Sequence, residues 1–204
     1  MRSPIRVVSF VVLVVMWISS VSAADSPKKH PDRVMLPLRA YQQTTSYTCG
    51  PASLLTLLHY YGRDGDEMKI ANEAHCTADK GTSPGHMVEW LEGNGFDVTW
   101  GEHGSLEMLR DNLDQNIPTL VEWIDYGGHW VIVVGYDTKG TVSDRDDVIY
   151  FADPADGHDG DRDGLTSFNA RRFNAMWFDA FLFEHPMFKV YITAVPHRGT
   201  KAGN

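Results

Sequence analysis

Residues 130–136 (WVIVVGY) are apolar almost without a break, the composition of a strand that belongs at the centre of a sheet. Further strands are predicted at 118–124 and 148–152. Near the C-terminus Phe188, Val190, Ile192 and Ala194 alternate with Lys189, Tyr191 and Thr193, the period of a half-buried strand. The first half of the chain has a different rhythm. Leu54, Leu57, Leu58 and Tyr61 fall at i, i+3, i+4 and i+7, a buried helical stripe with Pro51 in its first turn and Gly62 after its last. Helices are also predicted at 66–76, at 84–94 between Ser83-Pro84 and Gly93-Asn94-Gly95, and at 105–115. Phe173, Met176, Trp177 and Ala180 share one face of a segment near helical spacing, for which core packing is the default. Helices first and strands second reads as α+β, N-terminal helices packed on a C-terminal antiparallel sheet.

At 204 residues this is one domain with short extensions. The extension at the start reads as an export signal: Arg2 and Arg6, an apolar run over 7–18, and Val21-Ser22-Ala23 suited to cleavage before Ala24. The run of 12 is short of the ~20 apolar residues that span a bilayer. Removing residues 1–23 leaves 16 Lys+Arg against 27 Asp+Glu, a net of −11. The mature protein is therefore expected to be acidic and soluble outside the cytoplasm, secreted or periplasmic, with no stable membrane span. Such a charge argues against nucleic acid as a partner, because phosphate needs a basic surface. Residues 24–40 read as an extended lead-in, 41–197 as the domain and 198–204 as a tail.

The best helix begins at a cysteine. Cys49 lies just ahead of Pro51, near the free N–H groups and positive end of the macrodipole, a setting that favours the nucleophilic thiolate. Gly50 beside it would let substrate approach the backbone. Six residues upstream, the Gln43 amide could join the Cys49 N–H as an oxyanion donor. A thiol nucleophile needs a base, and the base an orienting group. His129 stands at the mouth of the central strand, and Asp153 ends the next one. If those strands are neighbours, Asp153 can accept from the His129 ring and fix its tautomer. The alternative for Cys49 is a structural thiol or a disulfide with Cys76, the only other cysteine. Taken singly, His129 could be a satisfied strand-end histidine, Asp153 a turn residue before Pro154, and Gln43 a solvated amide.

Three segments carry a resemblance: Gln43 to Ala52 (QTTSYTCGPA), Gly128 to Val133 (GHWVIV) and Ala152 to Gly157 (ADPADG). In this order they resemble the C39 and C39-like peptidases, papain-like cysteine peptidases best known for cutting leader peptides after a Gly-Gly pair. The resemblance implies a papain-like fold, a peptide or protein substrate, no cofactor, and a site of Cys49 as nucleophile, His129 as base, Asp153 as orienter and Gln43 as oxyanion donor. The best-known leader peptidases are cytosolic domains fused to an exporter, whereas this chain carries an export signal, so Gly-Gly cleavage is not carried over with the architecture.

One feature lies outside that site. Residues 144–163 hold eight aspartates and two arginines, and Asp159-Gly160-Asp161-Arg162-Asp163-Gly164 matches the first six positions of an EF-hand loop. The twelfth position is Ala170 where the loop needs a bidentate Glu, which leaves at most weak Ca2+ binding at Asp159, Asp161 and Asp163. The plainer reading is an acidic, solvated turn. The remaining histidines show no paired metal-ligand spacing, so no metal site is expected. The rival to an enzyme is a non-catalytic extracytoplasmic binding domain on the same frame, stiffened by calcium.

Overall fold

The computed structural model describes residues 30–157, 160–179 and 185–197. The export signal expected at 1–23, Asp159 of the acidic stretch, Ala180 and the tail at 198–204 lie outside the described residues. The elements run β1 (Arg33–Met35), α1 (Cys49–Tyr60), α2 (Glu67–Glu73), α3 (Pro84–Gly93), β2 (Phe96–Gly101), α4 (Leu106–Asp114), β3 (Thr119–Trp123), β4 (His129–Asp137), β5 (Val148–Ala152), β6 (Leu165–Asn169), α5 (Ala170–Met176) and β7 (Tyr191–Pro196). The fold is α+β, five helices against a seven-stranded antiparallel sheet.

The sheet order is β2-β7-β3-β4-β5-β6, so the apolar run over 130–136 lies in the interior strand β4, every residue of which is buried. β3 covers the first half of β4, pairing Trp123 with His129 through Thr119 with Val133. β1 continues that lane, pairing Met35 with Gly135 and Arg33 with Asp137. The segment after it is also part of the body: Leu36 and Leu38 are buried.

Helix α1 is buried all round from Cys49 to Leu58, not along one stripe. Tyr61 falls just beyond its end and Gly62 takes the left-handed backbone (φ 69°) that terminates it. The other helices start on side-chain caps: Asp66 accepts from Lys69 N, Ser83 from His86 N, Ser105 from Met108 N and Asn169 from Arg172 N. On the far face of the sheet Trp123 meets the rings of Phe151, Phe168 and Phe173, and Phe173 stacks on Trp177 at 5.1 Å. The aromatic segment is thus core, with Met176 only half-buried.

Three strands were not expected: β1, β2 and β6. The last two are the two edges of the sheet. An edge strand is held by one neighbour's ladder and needs no continuous apolar run, and β2 accordingly exposes Trp100 at 45%. The terminal strand is shorter than its alternation. Ile192 and Ala194 are buried as expected, but Lys189 adopts φ 53° and breaks the extended backbone, leaving Phe188 47% exposed.

Candidate active site

Cys49 is the first residue of α1 and is 8% exposed. Thr48 before it is buried, with its hydroxyl 2.9 Å from that of Thr45, so no side chain caps the helix. Pro51 has no N–H, and Ala52 N donates to Thr48 O at 2.9 Å. The Gly50 N–H therefore faces the thiol, as does the backbone N–H of Trp130 from β4. The sulfur sits in the unquenched positive end of the helix. Gly50 has a packing reason as well: a Cβ there would lie 3.0 Å from Thr82 Cβ and 3.2 Å from Met87 Sδ, so the start of α1 packs directly on the start of α3.

His129 opens β4 and Asp153 follows β5. The antiparallel register, Ile132 opposite Ala152, brings that strand start and that strand end to one edge. His129 Nε2 lies 2.8 Å from Asp153 Oδ1, with the residues 2% and 0% exposed. Asp153 Oδ1 also accepts from Ala155 N at 2.9 Å, which holds the carboxylate in place. With Nε2 committed, Nδ1 is left for the hydrogen bond between the ring and Cys49. Tyr126 sets its ring edgewise against the imidazole at 5.4 Å.

The electrostatics follow from these contacts. Burial by itself would push the Cys49 thiol up. The hydrogen bond and charge of His129 outweigh it, with help from the Trp130 and Gly50 N–H groups, and hold it below the ordinary thiol value. Burial would push His129 down, but hydrogen bonds to Asp153 and Cys49, and their charges, raise it well above the usual imidazole range. Asp153 is lowered in turn: burial opposes its charge, and the His129 hydrogen bond and charge prevail. Both shifts run toward a thiolate–imidazolium pair steadied by a carboxylate, an arrangement able to attack a carbonyl carbon. Cys76 has no such support. Burial comes first there and raises its thiol, which donates to Tyr47 O at 3.4 Å. The two cysteines are not bonded to each other.

Gln43 reaches the same place by way of a laced loop. Gln43 N donates to Pro154 O at 2.9 Å, Gln42 Nε2 to Asp153 O at 2.9 Å, and Thr44 N to the Glu67 carboxylate. With Ser46, Cys49, Tyr126, Gly128, His129 and Ala155, Gln43 lines a cavity of about 450 Å³. Its amide is not wholly free, because Nε2 donates to Thr45 O at 2.7 Å. An amide nitrogen carries two N–H groups, so one is not spent on Thr45, while the buried Oε1 has no partner among the described residues.

The acidic stretch is occupied by structural contacts. Asp163 pairs with Arg39 and accepts from Leu165 N at 3.0 Å, while Asp156 accepts from Gly164 N at 2.8 Å. Among the described residues no group of three His, Cys, Asp or Glu side chains is placed to hold a metal ion. Sequence reasoning missed Thr82, Tyr126 and Glu122, which line a second cavity against Cys49. Glu122 alone had a visible signal, a carboxylate in the otherwise uncharged strand Thr119–Trp123.

The model of a family described as Peptidase_C39 like family matches residues 35–180. Among solved structures, the chain is similar to a putative C39-like peptidase from Bacillus anthracis, with a TM-score of 0.60 at 16% identity over 82% of this chain and 99% of that one. It is also similar to the peptidase domain of Streptococcus ComA, a bi-functional ABC transporter of a quorum-sensing pathway (TM-score 0.57, 20% identity, 78% and 99% covered). A third is a double glycine motif protease from an AMS/PCAT transporter, in complex with the leader peptide (TM-score 0.54, 15% identity, 80% and 94% covered). At these identities the likeness is one of fold. No curated protein matches the chain.

Proposed function

Because the chain belongs to the Peptidase_C39 like family, we propose that it is a cysteine peptidase in which Cys49 is the nucleophile, His129 the base, Asp153 its orienter and Gln43 an oxyanion donor. The observation that carries the reading is a single buried imidazole shared between a helix-start thiol and a carboxylate, His129 Nε2 being 2.8 Å from Asp153. The Cys49 thiolate attacks an amide carbonyl. The oxyanion is received by the Cys49 N–H and the second N–H of Gln43. His129 gives its Nδ1 proton to the leaving amine and then takes one from the water that hydrolyses the thioester. Asp153 keeps the proton on Nε2 throughout, so that Nδ1 alone exchanges it.

The substrate class taken over from the family is a peptide or protein. The neighbour solved with its leader peptide is a double glycine motif protease. Here the reading extends to the peptide class and not to that motif. Export through residues 1–23 would put the activity outside the cytoplasm, secreted or periplasmic, and a mature N-terminus at Ala24 in culture or periplasmic fractions is its test.

Limiting iodoacetamide at mildly acidic pH, read by peptide mass spectrometry, tests the site. Cys49 should label far faster than Cys76, and His129→Ala should slow it, because burial is then opposed only by the Trp130 and Gly50 N–H groups. Equal, sluggish labelling of both cysteines, or a Cys49–Cys76 disulfide, would refute the catalytic reading in favour of a binding domain.

A further inference from the structure

Two cavities meet at Cys49 and share Ser46, Tyr126 and Gly128 along their walls. His129 and Gln43 line one. The other, about 170 Å³, is walled by Tyr47, Thr82, Glu122, Gly128 and Trp130, with Asp79 and Lys80 also lining it. Glu122 is the residue that the chemistry described so far does not use. It belongs to β3, all five of whose residues are buried, and is itself 2% exposed. Its Oε2 has no hydrogen-bond partner among the described residues. A buried carboxyl oxygen without a donor is costly.

The position is as telling as the burial. Glu122 stands opposite Trp130 in the β3–β4 ladder, and Trp130 is the residue whose backbone N–H reaches the Cys49 sulfur. Burial first, then the negative charges of Asp179 and of the Cys49 thiolate, push the Glu122 carboxyl up to about 8. Its surroundings are charged from several elements: Cys49 on α1, Asp79 and Lys80 between α2 and α3, Asp179 after α5, and the tyrosines 47 and 126 along the wall. An incoming cation would relieve the repulsion and supply the absent donors. The chain's net charge of −9 draws cations toward it as well.

We propose that Glu122 is a specificity-determining residue: the cavity on its side of Cys49 receives a substrate group bearing an ammonium or guanidinium, such as a Lys or Arg side chain near the bond attacked. This rests on Cys49 being the reactive thiol and adds the substrate class. A neutral Glu122 acid donating to a substrate carbonyl is the competing use of the same group. The two differ in sign with pH. Acceptance of a cation strengthens as the carboxyl ionises through about pH 8, and donation is lost there.

Charged thiol reagents read the cavity without a known substrate. The full purified protein is treated with methanethiosulfonates carrying a trimethylammonium, a neutral or a sulfonate group, from pH 6.5 to 9, and labelling of Cys49 is followed by peptide mass spectrometry. The ratio of cationic to neutral rates cancels the thiolate fraction. In wild type it should rise about tenfold through about pH 8, the effect of one partly screened charge. It should stay flat in Glu122→Gln, with Cys76 labelling as control. The wild-type profile stands even where the variant folds poorly. A flat wild-type ratio with Cys49 still selectively labelled overturns the role of Glu122 and leaves the nucleophile reading standing. A ratio that falls with pH overturns it too, since an ionising carboxyl cannot repel a cation, and a flat ratio with a neutral-reagent rate that drops through about pH 8 would favour the neutral donor. Cys49 no faster than Cys76 with the neutral reagent overturns both.

Discussion

Asp153→Asn is the sharpest perturbation of the site, because it removes a charge while keeping an oxygen where Oδ1 stands. That oxygen can still accept from His129 Nε2 at 2.8 Å and from Ala155 N at 2.9 Å, so the geometry should survive. What goes is the carboxylate facing the imidazolium in a setting where Asp153 is fully buried and His129 nearly so. A hydrogen bond to a charged group contributes ~1.5–3 kcal/mol, against roughly 1 for a neutral one. At about 1.36 kcal/mol per pKa unit, losing that difference lowers His129 by about one unit, and the vanished long-range charge adds about another. His129 in turn is the group that outweighs burial at Cys49, so weakening its charge raises the thiol as well. Iodoacetamide labelling of Cys49 at pH 6, read by mass spectrometry, should therefore fall about 10- to 100-fold. The difference should shrink at alkaline pH as the thiol ionises in both proteins. A change under twofold at pH 6, in a protein with wild-type melting, would refute the claim that Asp153 holds the pair charged.

Gln43→Ala should cost turnover about 100-fold or more, the usual loss for an oxyanion donor, while leaving Cys49 alkylation within twofold, since alkylation forms no oxyanion. Equal losses in both assays would count against that role. Gly50→Ala presses a methyl within 3.0 Å of Thr82 Cβ and 3.2 Å of Met87 Sδ, and chemical denaturation should find it less stable by ~1–3 kcal/mol. Proton counting separates the Cys49–His129 pair from its parts. Near pH 7–8 the unfolded chain holds one proton on these two groups, and so does the folded ion pair, so this pair makes wild-type stability neither rise nor fall. In Cys49→Ala the His129 value stays raised by Asp153, so its contribution, full below the ordinary imidazole value, is lost as pH rises, at up to ~1.4 kcal/mol per unit. Denaturation of both proteins from pH 6.5 to 8.5 should show that excess slope in the variant, and parallel curves would contradict the raised imidazole.

How far the sequence carried depends on what kind of constraint each residue obeys. The central strand and α1 were legible because both are buried on every side, and burial writes an apolar run. His129 and Asp153 were legible for a related reason: each is the polar residue at the end of such a run, and one antiparallel register brings both ends together. The edges β2 and β6 were not, since one ladder of backbone hydrogen bonds holds them and any alternation suffices. The engaged amide of Gln43 was hidden too, because its partner is a carbonyl two residues away, set by loop geometry and not by periodicity. Glu122 marks the opposite case. It interrupts a strand that the apolar pattern predicted correctly, and the interruption is where the fold carries an unsatisfied carboxyl beside Cys49. Natural chains break their own folding rules chiefly where function demands it. A charged residue that violates a well-predicted buried strand is therefore better evidence for a site than one that decorates a loop, and in this chain it points to the cavity that the other conspicuous motifs leave undescribed.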